Sequence, residues 1–94
     1  MRNITTSRRT TRLAKNGSDV IGNVVLRPRR MAKLVLGMYE KTMPLPKFRL
    51  QYSPMATDTI DASLFKFDGD DHYTLVYHFQ NYSDTTYHIT VVSE

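Results

Sequence analysis

From residue 48 onward, apolar and polar side chains alternate, and this period of two is the tightest constraint the chain places on its fold. In 48–53, Phe48, Leu50 and Tyr52 alternate with Arg49, Gln51 and Ser53. In 72–80, Tyr73, Leu75, Tyr77 and Phe79 fall on one side. In 85–93, Tyr87, Ile89 and Val91 do the same, and 60–67 carries Phe65 and Phe67. Successive side chains of a strand point to opposite faces, so this pattern predicts antiparallel strands with one face buried. Asp68-Gly69-Asp70-Asp71 and Asn81-Tyr82-Ser83-Asp84 supply turn residues between them. The expected register pairs Phe67 with Tyr73, and Phe79 with Thr85, in a four-stranded meander over 48–53, 60–67, 72–80 and 85–93.

Upstream the periodicity changes. Met31, Leu34, Val35, Met38 and Tyr39 form a stripe at helical spacing. Pro28 suits the first turn of a helix, and Pro44 and Pro46 stop one. The spacing therefore predicts one amphipathic helix over about 29–42, packed on the apolar side of the meander. One feature conflicts with it: Arg29 and Arg30 would lie in the first turn, where the helix dipole disfavours cations. Asn16-Gly17 is a strong hairpin turn, joining Thr10–Lys15 to Ser18–Leu26, with a short helix at Asp19–Leu26 as the rival. Residues 1–9 read as a flexible basic arm and 10–94 as a single domain, so the expected class is α+β.

With 94 residues the chain has material for one core. It has no cysteine, which excludes a disulfide framework, a thiolate nucleophile and cysteine-ligated metal. No apolar run is long enough for a membrane helix, and no hydrophobic stretch follows the first basic residues as in a secretory signal. A cytoplasmic protein without cofactor or metal is the expectation.

Charge is divided along the chain. Residues 1–49 hold twelve basic and two acidic side chains, whereas 50–94 hold one basic and seven acidic. Arg8, Arg9, Arg12 and Lys15 form one basic cluster, and Arg27, Arg29, Arg30 and Lys33 a second. Guanidinium forks match phosphate oxygens, so these eight residues are the candidate anion-binding set. They point to a small non-enzymatic binding module whose partner is nucleic acid or an acidic protein surface. The competing account is a solubilising arm beside charges that neutralise one another on folding.

Two other functions are consistent with the residues. In the expected meander His78 and His88 are diagonal neighbours on the open sheet face, near Arg49. Two imidazoles and a cation suffice for acid–base cleavage of RNA, which would make the chain a small ribonuclease or toxin. A structural domain forming homo-oligomers through an edge strand or the methionine-rich stripe is the third. The tyrosines are weaker candidates for base stacking, because Tyr52, Tyr73, Tyr77 and Tyr87 share the face assigned to the core. The acidic turn at 68–71 is no EF-hand, since the twelfth position from Asp68 is Phe79 where a glutamate is required.

Overall fold

A computed structural model of the chain describes residues 19–55 and 58–94. It contains six strands: β1 (Val20–Leu26), β2 (Met31–Glu40), β3 (Phe48–Ser53), β4 (Ile60–Asp68), β5 (His72–Asn81) and β6 (Tyr87–Ser93). They form two three-stranded antiparallel sheets, ordered β1-β6-β3 and β2-β5-β4. One core joins them: Leu26, Tyr87, Ile89 and Val91 from the first sheet pack with Leu36, Tyr39, Tyr73, Leu75 and Phe79 from the second. The Phe48 ring meets Tyr77 across the interior, edge to face, at 6.4 Å. The architecture is a small β-sandwich.

This corrects the α+β expectation. The segment 29–42 is not helical; it is mostly β2, the edge strand beside β5. Its inward residues are Ala32, Leu34 and Leu36, then Tyr39, and a bulge between Val35 and Gly37 shifts the alternation by one. Met31, Val35 and Met38 face outward. The apparent helical stripe therefore mixes two faces: a bulge in a strand that is apolar on both sides imitates a 3.6-residue repeat. Pro28 begins no helix, so the dipole conflict at Arg29 and Arg30 disappears. Gly37 has a φ of 145°, which an L side chain rarely adopts, and this is how the bulge is accommodated.

The meander is also corrected. All four of its strands form, but of the pairings the meander requires, β3–β4, β4–β5 and β5–β6, the sheets contain β4–β5 alone, and β3 pairs with β6 instead. Strand β6 sits between β1 and β3 in the opposite sheet. Leu75 and Ile89, expected side by side on adjacent strands, instead belong to opposite walls of the core. A second sheet rather than a helix covers the apolar face. Of the N-terminal hairpin, β1 forms as a strand paired with β6. The arm at 1–9, the turn at Asn16-Gly17 and the segment 10–15 lie outside the described residues.

The β4–β5 register differs from expectation by one residue. Phe67 pairs with Thr74 and Phe65 with Val76. The turn closes through a Gly69 N–H donated to the His72 carbonyl at 2.7 Å, leaving four residues between Asp68 and its partner Tyr73. A one-residue slip exchanges the faces of a whole strand. Phe65 and Phe67 thus point outward, while Lys66 takes the inward position, its Nζ 4.9 Å from the centre of the Tyr73 ring.

Hydrogen bonds tie the crossings between sheets. The Tyr73 hydroxyl reaches the carbonyls of Met43 and Pro44, each at 3.2 Å, anchoring the β2–β3 connection. At the same end the Ser93 N–H donates to the Asp19 carbonyl, and the Glu94 N–H to Lys47.

Gly37→Ala is expected to cost about 1–3 kcal/mol, because the bulge requires a φ unfavourable for alanine; urea denaturation measures it. Burial also raises the phenol pKa of Tyr52, Tyr73 and Tyr77 above 10.0, with Tyr77 adding to the effect at Tyr52. Above that pH the unfolded chain releases phenolic protons that the folded chain retains, so stability falls as pH rises. Alkaline titration followed by phenolate absorbance will show these tyrosines ionising together with unfolding.

Candidate anion-binding turn

The second arginine cluster occupies the short link between β1 and β2, where the chain passes from one sheet to the other. Arg30 donates its N–H to the Arg27 carbonyl at 3.2 Å, closing a four-residue turn. Proline at the second position and positive φ at the third define type II. The third position here is Arg29, with φ 62°. Glycine is the usual occupant, because a side chain there costs on the order of 1 kcal/mol. Arg27, Arg29 and Arg30 are all exposed.

The turn is held from beneath by Asn81, whose side chain is completely buried. Its amide nitrogen lies 3.2 Å from the Leu26 carbonyl, 3.1 Å from that of Arg27 and 2.8 Å from that of Thr85. Its oxygen accepts from the Ser83 N–H at 2.9 Å and the Ser83 hydroxyl at 2.7 Å, forming an Asx turn. The Asn81 backbone N–H donates to the Arg30 carbonyl at 2.9 Å. Arg29 Nε donates to Asp84 at 3.1 Å across the same junction. That pair is exposed on both sides and contributes at most a few tenths of a kcal/mol. The arginine turn is therefore a fixed display rather than a free loop.

The remaining basic residues are spread out. Lys33 lies on the outward face of β2, beside His78 in the ladder. Lys41 is at the opposite end of that strand, its ammonium bonded to the Gly69 carbonyl at 3.0 Å. Lys47 and Arg49 belong to the other sheet, at and within β3. Arg8, Arg9, Arg12 and Lys15 lie outside the described residues. Residues 19–94 hold eight basic and nine acidic side chains, whereas 1–18 hold five basic and none acidic. The positive excess thus belongs to the first eighteen residues, and the sandwich is close to neutral.

The histidine pair does not assemble. His78 faces outward from β5 in one sheet, and His88 faces outward from β6 in the other. They stand on opposite outer surfaces of the sandwich, and only Arg49 shares a sheet with His88. The diagonal contact required for joint acid–base work depended on a β5–β6 pairing that does not exist. Among the described residues, no three His, Asp or Glu side chains gather to hold a metal ion, and no helix is long and apolar enough to cross a membrane.

Asn81 was absent from the sequence-based candidates although a signal existed. It continues the inward parity of Tyr73, Leu75, Tyr77 and Phe79, and a polar side chain at a core position demands partners. The fold and this junction define a β-sandwich that displays an arginine turn at one end. Comparisons with protein families, curated proteins and solved structures find no match to the chain.

Asn81→Leu removes a donor group shared among three carbonyls and is expected to cost about 2–4 kcal/mol in chemical denaturation. Asn81→Asp should cost more at neutral pH, since a carboxylate cannot donate to those carbonyls.

Proposed function

We propose that this chain is a non-enzymatic binding module for nucleic acid, in which the sandwich is the scaffold and the Arg27–Arg30 turn is its fixed phosphate contact. The observation that carries this reading is the turn itself. Three guanidinium groups fall within four residues, on a backbone held by Asn81, and one of them occupies a position where glycine would be easier. Arg29 Nε already meets one anion, Asp84, and with Arg27 and Arg30 exposed beside it the turn offers further donors to a phosphate. Residues 1–18 add five basic side chains without an acidic one, which supplies sequence-independent attraction to a polyanion. Contacts of this kind position a backbone and carry little base preference.

Fluorescence anisotropy with generic single-stranded RNA and duplex DNA tests the proposal. Affinity should fall steeply with salt, and replacing Arg27, Arg29 and Arg30 together by Gln should lower the log–log salt slope by about two to three. Arg29→Gly should weaken binding while leaving stability equal or higher, because it relieves the positive φ. Binding indifferent to salt, or unchanged in the triple variant, refutes the reading. Binding only to acidic proteins would transfer the same turn to a different partner and refute nucleic acid.

A further inference from the structure

Among the described residues nothing covers the outward face of the β2-β5-β4 sheet, which is apolar at its centre. Two adjacent rows cross it: Val35, Val76 and Phe65, then Met38, Thr74 and Phe67. Val35 is 64% exposed, Phe65 42% and Phe67 52%. The Phe65 and Phe67 rings lie 6.4 Å apart and nearly parallel, and Phe65 lies against the His78 ring at 4.2 Å, tilted by 32°. A row containing Lys33 flanks this band on one side, and a row containing Glu40 on the other. An apolar centre between polar margins is the composition of a protein interface.

We infer that this face is a homodimer interface, with two copies packed sheet to sheet about a two-fold axis lying in the interface and perpendicular to the strands. Charge selects a second copy as the occupant. Lys33 and Glu40 lie at opposite ends of the same outward face of β2, and neither has an ion-pair partner among the described residues. The axis stacks β2 on β2 with the strand direction reversed. Lys33 of each copy then meets Glu40 of the other, and Phe65 meets Phe67.

Edge-to-edge association is the competing route to self-assembly, and β4 is guarded against it. On that edge strand Lys66 takes the inward register position, with its ammonium paired to Asp68 at 3.2 Å, and charges at an edge discourage a further strand there. Strand spacing and rise give the face roughly 450 Å² per copy. That places the pair at the low end of specific interfaces, so the dimer should dissociate in the micromolar range or more weakly. The inference is independent of nucleic-acid binding, which uses the arginine turn.

Analytical ultracentrifugation of the full chain across the micromolar range tests it. The wild type should pass from monomer to dimer with concentration. Lys33→Glu and Glu40→Lys should each weaken the dimer about tenfold or more, through like charges brought together, and the two combined should restore it. Phe65→Ser with Phe67→Ser should give a monomer; both positions are exposed, so circular dichroism should remain that of the wild type. A monomer at every concentration overturns the inference. So does a dimer indifferent to the single reversals, or a combined variant that fails to recover.

Discussion

The Asn81 carboxamide joins the two sheets of this protein at one end. It is wholly buried, and both its donor and acceptor sides are occupied. Its partners come from the end of β1, from the arginine turn and from the β5–β6 crossing, so three backbone segments meet on one amide. Buried carbonyls without donors are costly, and the Asn81 amide supplies a donor at the point where those of Leu26, Arg27 and Thr85 converge. The path of the chain between sheets, and so the separation of β5 from β6, is consistent with one polar side chain placed where the alternation calls for an apolar one.

Several surface features follow from that crossing. Since β6 departs to the other sheet, β5 pairs with β2 and β4 instead, and the outward face of that sheet consists of residues from these three strands. His78 and His88 are then separated by the thickness of the sandwich. The same junction sets the direction in which Arg27, Arg29 and Arg30 are displayed. The proposed phosphate contact is at an end of the molecule and the proposed dimer contact on a broad face, so occupation of one leaves the other accessible.

The apolar content of β2 on both sides has a structural and a functional side. Its inner residues close the core, while Val35 and Met38 remain outside with Phe65 and Phe67. An edge strand in a small sandwich gains little by exposing such residues, and solvent cost alone gives no reason to keep them. A covered face supplies that reason.

Local pattern was enough to locate the strands at 48–53, 60–67, 72–80 and 85–93, because alternation records which side of a strand meets the core, whereas at β1 it left strand and short helix as rivals. It also marked the charge concentrated at Arg27, Arg29 and Arg30, but took Pro28 for the start of a helix where the folded chain makes a turn. Three things lay beyond it. The bulge at Gly37 made a strand look helical, since one extra residue converts a period of two into spacings of three and four. The β4–β5 register depended on the hydrogen bond that closes the turn at Gly69, and a single-residue difference decides which way Phe65 and Phe67 point. Strand partners depended on how the crossings are satisfied, and alternation carries no information about whether two neighbouring strands share a sheet or face each other across a core. That choice rests on contacts between residues far apart in the chain, such as Asn81 with Leu26, and only the folded chain brings them together.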